Sequence, residues 1–67
     1  MKSFSQIAEY CNLTYADIRN VVILENITVN KESIPNRLSR KDEILVLRIL
    51  FYTSKIDFMT LESKINE

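Results

Sequence analysis

The stretch from Ile7 to Val22, IAEYCNLTYADIRNVV, limits the fold more tightly than any other part of the chain. Ile7, Ala8 and Cys11 share one face of a first short helix. Leu13 follows at once, and Ile18, Val21 and Val22 share one face of a second. Between them stands Asn12, one of the few non-glycine residues that enters the left-handed region at low cost. Ala8 provides the small contact that two closely crossing helices need. This is the spacing of a helix-turn-helix, whose second helix can lie in a DNA major groove.

The rest of the chain is too short for more than one domain: 67 residues form a single small core. Hydrophobic residues make up 46% of it, which suits a globular fold and is too many for a disordered chain. No apolar run approaches the roughly 20 residues of a membrane span. The start, MKSFSQ, lacks a signal-peptide layout, so a cytoplasmic protein is expected. The single cysteine, Cys11, excludes a disulfide within the chain and falls on an apolar face, as a small buried hydrophobe would.

Histidine and glycine are absent from the sequence. That removes His-based acid–base catalysis, His metal ligands, P-loops and dinucleotide fingerprints together. No serine or carboxylate stands at a telling distance from an activating partner. The expectation is therefore no enzyme, no metal and no cofactor.

Net charge is zero, which argues against strong nonspecific grip on phosphates. The distribution is less even. Lys31, Arg37, Arg40 and Lys41 face only Glu32 in the middle of the chain, whereas Asp57, Glu62 and Glu67 outnumber Lys64 in the tail. A neutral domain can still carry one basic face.

In chain order, Ser3 or Ser5 is expected to cap the first helix, with Phe4 just outside it and folded over its start. The helix runs to about Cys11. Thr14 caps the second helix and Asp17, three residues on, completes a capping box. That helix runs to about Leu24, and Ile23 and Leu24 widen its apolar surface so that it is well buried. Its outward side shows Thr14, Tyr15, Ala16, Arg19 and Asn20. Arg19 and Asn20 are able to read base edges, and Tyr15 or Thr14 to hold a phosphate. Asp17 is the awkward member, either a contact to a cytosine amino group or simply the cap. A solvated polar face without function fits the same periodicity equally well.

Asn26 is expected to end the second helix as a left-handed cap. Ile27-Thr28-Val29 and the run opened by Ile34 and Pro35 then read as two short strands around a polar turn, a hairpin or wing with Lys31 at its tip and Arg37 in its second arm. Both suit phosphate contact, although lysine is common on any surface hairpin. Ser39 begins a third helix with Arg40 and Lys41 in its first turn. From Ile44 to Tyr52 the sequence is apolar except for Arg48, so this helix must be covered on most sides, and its surplus hints at a partner subunit.

The tail has two readings. Ile44, Leu47, Phe51, Ser54, Phe58, Leu61 and Ile65 fit a heptad seam with one polar miss, which allows one long helix in a paired coil. Alternatively the chain breaks between Lys55 and Asp57, and Phe58, Leu61 and Ile65 fold a short fourth helix back on the core. The break is preferred, because the core needs covering. Leu47, Phe51, Phe58 and Leu61 are the residues expected to meet an oligomeric or other protein partner.

The expected fold is mainly α with a small β-hairpin wing, a winged helix-turn-helix of three to four helices. Residues 3–25 form the helix-turn-helix, 27–38 the wing, and 40–66 the core and C-terminal helices. Over nearly its whole length the chain resembles the DNA-binding domain of the MerR superfamily, the winged-helix group that includes small phage excisionases. The resemblance rests on FSQIAEYCNLTYADIRNVV, with Ile18-Arg19 where that family has Ile-Arg, on Arg37-Leu38 after the wing, and on Leu47-Arg48 in the long helix. It closes on Ile56-Asp57-Phe58-Met59-Thr60-Leu61-Glu62, similar to a family Leu-Gly-Phe-Ser-Leu-Glu with one residue of slack near Met59. It implies that Arg19 and its neighbours enter the major groove and that Arg37 holds backbone or minor groove. The family's glycines in the turn, after the second helix and in the wing are missing, with Asn12, Glu25 and Asn36 nearby instead. The effector-sensing part of MerR regulators has no counterpart in this sequence.

Two functions follow as expectations. The first is a small sequence-specific DNA-binding protein of phage or plasmid type, acting on transcription or recombination by occupying or bending a site, as a homodimer or cooperative array. The second is an interaction module or inhibitor that binds a host protein through its apolar C-terminal helix. Neutral charge and Asp17 favour the second. A purely structural homo-oligomer on the heptad seam is a third.

Overall fold

The computed structural model describes residues 1–25 and 36–67. Among them the elements run β1 (Lys2–Ser3), α1 (Phe4–Cys11), α2 (Tyr15–Leu24), β2 (Arg37–Leu38), α3 (Arg40–Tyr52) and α4 (Phe58–Ile65). The molecule is mainly helical with a small two-stranded antiparallel sheet.

Each described helix starts on a side chain that accepts an orphan backbone N–H. Ser3 caps α1 and Gln6 reaches back to it, closing a capping box. Phe4 is the first helical residue and is buried, not outside the helix as expected. Thr14 and Asp17 form the second box at α2, Ser39 caps α3, and Asp57 caps α4. Asn12 takes the left-handed conformation at φ 57° and ψ 41°. Leu13 N–H then bonds Ala8 O at 2.9 Å and Asn12 N–H bonds Glu9 O at 3.2 Å, the paired bonds of a Schellman ending.

The chain breaks after α3 instead of continuing as a coil. Ser54 is left-handed at φ 62°, and Lys55 N–H reaches back to Leu50 O at 2.8 Å. Ile56 drops into the core just behind this corner and α4 folds back, with Leu61 buried and Ile65 partly so. The continuous heptad seam is thereby excluded.

The sheet differs from the expected hairpin. Arg37-Leu38 pair with the N-terminal Lys2-Ser3, in the register Lys2–Leu38 and Ser3–Arg37, and Phe4 N–H extends the contact to Asn36 O at 3.0 Å. The expected strands at Ile27–Val29 and Ile34–Pro35, the Asn26 cap and Lys31 lie outside the described residues.

One core joins the elements: Phe4, Ile7, Ala8 and Cys11 from α1, Ile18 and Val22 from α2, Leu38 from β2, Val46, Leu47 and Leu50 from α3, then Ile56 and Leu61. Leu47 and Leu61 belong to this interior, which corrects their expected role as partner contacts. Ile23 and Leu24 are 58% and 81% exposed, so α2 is buried along one edge only and not widely. No helix among the described residues is long and apolar enough to cross a membrane.

Candidate nucleic-acid interface

Helix α2 is fixed from below by Ile18 and Val22, and this decides which of its residues face water. One helical turn is 3.6 residues, so Ala16, Asn20 and Ile23 come up on the opposite side and Arg19 on the flank. All four are exposed, as are Thr14 and Tyr15. Among the described residues no ion pair or hydrogen bond occupies the Arg19 side chain, and a guanidinium and an amide one position apart are suited to guanine and adenine edges respectively.

The start of α2 is stiff. Asp17 N–H donates to Thr14 Oγ1 at 3.2 Å, while Thr14 N–H and its hydroxyl donate to Asp17 Oδ2, each at 3.0 Å. The Thr14 backbone N–H first, then its hydroxyl, hold the Asp17 carboxyl below the usual carboxylate range. Asp17 is therefore the cap. The Thr14 hydroxyl is committed to that same cap. The Tyr15 ring lies 5.7 Å from Phe4, with 41% of the residue exposed.

The basic residues expected around α2 do not share one situation. Lys41 is exposed in the first turn of α3. Arg37 is half-buried in β2 and donates to Met1 O at 3.3 Å. Arg40 is exposed but engaged: its guanidinium bonds Glu43 at 3.1 Å and the backbone carbonyls of Lys64 and Ile65 at 2.6 and 2.9 Å. Those carbonyls end α4 and have no helical donors of their own, so Arg40 serves as a C-terminal cap there. Arg40, expected among the DNA contacts, therefore has its guanidinium engaged within the fold while its side chain keeps 40% exposure.

Sequence reasoning missed the group that Arg40 serves. Glu43 is 2% exposed, at the head of the buried stripe Glu43, Val46, Leu47, Leu50. Lys2 Nζ stands 3.3 Å from its Oε2, to which the Tyr10 hydroxyl also donates, and Arg40 stands 3.1 Å from its Oε1. Lys2 also meets Glu67 at 3.0 Å, and Lys64 meets Glu67 at 3.1 Å. The Tyr10 ring has two cations near it, Lys2 Nζ at 4.9 Å and Lys64 Nζ at 4.6 Å from its centroid. Burial alone would raise Glu43, but the Tyr10, Arg40 and Lys2 bonds outweigh it and hold the carboxyl below its ordinary value. Burial first, and Glu43 second, push the Tyr10 phenol well above its own. The Glu67 bond holds Lys2 above its usual range. The available signal was a carboxylate in phase with an apolar stripe at i, i+3, i+4 and i+7.

The solvent also reaches a second apolar surface. Tyr52, Phe58 and Met59 are 78%, 58% and 79% exposed, and Phe51 touches two of them, its ring 6.0 Å from both Tyr52 and Phe58. Of the four residues expected to meet a partner, Phe51 and Phe58 lie here. Compared with known proteins, the chain matches no family model, no curated protein and no solved structure.

Proposed function

We propose that this chain is a small winged helix-turn-helix domain of the MerR and excisionase kind that binds a specific DNA sequence. In this reading it is a phage- or plasmid-type regulator of transcription or recombination, working by occupying or bending its site. The observation that carries the proposal is the outward side of α2, where Ala16 and Asn20 stand in water opposite the buried Ile18 and Val22 and Arg19 stands exposed on the flank beside them. Arg19 and Asn20 take base edges, Tyr15 and the α2 amino end approach the backbone, and Lys31, Arg37 and Lys41 supply charge to the flanking phosphates.

The contact is small. With a few phosphates neutralised, affinity falls with salt by only about three powers of the concentration ratio. Useful occupancy then requires two or more copies on repeated sites.

Selection of bound fragments from a random DNA pool, followed by titration of the winner at two salt concentrations, tests the reading. An enriched site is expected, with Arg19→Ala weakening it about 10- to 100-fold. Failure to enrich any site, or affinity indifferent to salt, overturns it.

The exposed apolar surface at Tyr52, Phe58 and Met59, with a net charge of zero, supports a second reading as a protein-binding module. Under that reading Arg19→Ala combined with Arg37→Ala leaves function intact.

A further inference from the structure

We propose that the outer face of α3, continued by Phe58, is the surface through which two copies of this chain associate. Helix α3 carries two apolar stripes. One, with Val46, Leu47 and Leu50, is the core. The other runs Ile44, Leu45, Arg48, Phe51 and Tyr52, again at spacings of three and four; Phe51 is partly packed against the core, while Leu45, Arg48 and Tyr52 are exposed. Leu45 is 43% exposed and Tyr52 78%. Ile44, Leu45 and Arg48 line one shallow groove together with Lys41 and Asp42, and the Phe51 ring passes the surface on to Phe58. A solitary exposed leucine is unremarkable, whereas a stripe about two and a half turns long, interrupted only by Arg48, has the character of an interaction surface.

Charge points to a second copy as the occupant, and area sets how tightly it is held. The groove carries both signs, Lys41 and Arg48 beside Asp42, so an acidic or basic partner meets a like charge whichever it is. A two-fold related copy presents the same mixed set, which is self-complementary. The chain's zero net charge removes long-range repulsion between copies. Given the usual size of aromatic and aliphatic side chains, the stripe exposes on the order of 500 Å² per copy, below the roughly 800 Å² of a standard interface. The dimer is accordingly reversible. Nothing in this inference depends on DNA, and its test contains none.

Sedimentation equilibrium of the full chain from about 1 µM to about 1 mM should show the mass rising from one chain towards two. Leu45→Glu and Tyr52→Glu should each weaken association by at least about tenfold, because each places a carboxylate in an apolar contact, while Ser5→Glu on α1 changes nothing. Circular dichroism checks that the variants fold. A wild-type mass that stays at one chain throughout overturns the proposal, as do folded variants that associate like wild type. If either variant unfolds, amide shifts of the wild-type chain on dilution decide. Changes confined to Ile44 through Phe58 uphold the surface, and changes centred on α1 or α2 refute it.

Discussion

The molecule contains two helix–corner–helix units, and their corners are nearly copies of each other. In the first, α1 ends at left-handed Asn12 and α2 begins on Thr14; in the second, α3 ends at left-handed Ser54 and α4 begins on Asp57. Both close with the same two bonds, Leu13 N–H to Ala8 O and Asn12 N–H to Glu9 O in one, Lys55 N–H to Leu50 O and Ser54 N–H to Phe51 O in the other. What differs is how the second helix is held. Helix α2 rests on buried Ile18 and Val22, with Val21 partly buried beside them, and leaves its far side free. Helix α4 is also tied from outside, its last carbonyls taken by Arg40, which Glu43 holds in place. Closely similar corners thus yield one helix with a surface to use and one that is fastened into a frame.

The largest effect that would sharpen this contrast is at Ile18. Because α2 has so few anchors, Ile18→Ala should cost about 2–5 kcal/mol in denaturant unfolding and loosen α2 first in hydrogen exchange. Removing the ionic fastening should cost less. Lys2 and Arg40 retain 35% and 40% side-chain exposure and can rehydrate, so Glu43→Gln should lose about 1–3 kcal/mol, with early exchange in α4 instead. Equal protection losses in both helices after either change would break the comparison.

Protonation acts on the two units at opposite ends of the pH scale. The Glu43 carboxyl lies below its unfolded value, so its contribution is complete above the ordinary carboxylate range and disappears as pH falls through the lowered value. Burial raises the Cys11 thiol from 9.0 to about 11, so folding keeps it neutral; its contribution is complete below 9 and is lost as pH rises towards 11. Melting curves should therefore show an alkaline loss on the order of 2 kcal/mol that Cys11→Ala reduces, although Tyr10 adds a loss of its own at the same end. An alkaline limb unchanged in Cys11→Ala would mean that the thiol is not the group responsible.

Smaller changes test the corners themselves. Serine has no particular tolerance for positive φ, so Ser54→Gly should stabilise by about 0.5–1 kcal/mol, and Asn12→Gly by only a few tenths. Smallest of all, Arg19→Ala should shift stability by less than about 0.5 kcal/mol, because its side chain supports nothing in the described fold. A larger loss would place Arg19 in the frame and weaken the case for α2 as a reading surface.

Much of this frame was legible in the residues. Ser3, Thr14, Ser39 and the left-handed Asn12 announce themselves because caps and corners are settled within four or five residues. The break before α4 followed from the need to cover the core. Three features were not legible, and each is non-local. The pairing of Lys2-Ser3 with Arg37-Leu38 joins strands too short to show any alternation. Periodicity records that Ile23 and Leu24 are apolar, yet whether anything covers them depends on the rest of the fold. The burial of Glu43 depends on donors from Lys2, Tyr10 and Arg40, which only the folded chain brings together. For the candidate interface, sequence named the exposed residues of α2 correctly but not that Arg40 was already engaged.

The ion pair between Lys2 and Glu67 carries a practical consequence. Lys2 and Glu67, 65 positions apart in the sequence, sit within one side-chain contact of each other. A short linker between residues 1 and 67 would close this stretch into a ring, so a cyclised form of it is geometrically accessible. By the same token, a purification tag at either extremity lands beside the Glu43 cluster, and a fluorophore or handle belongs elsewhere on the molecule.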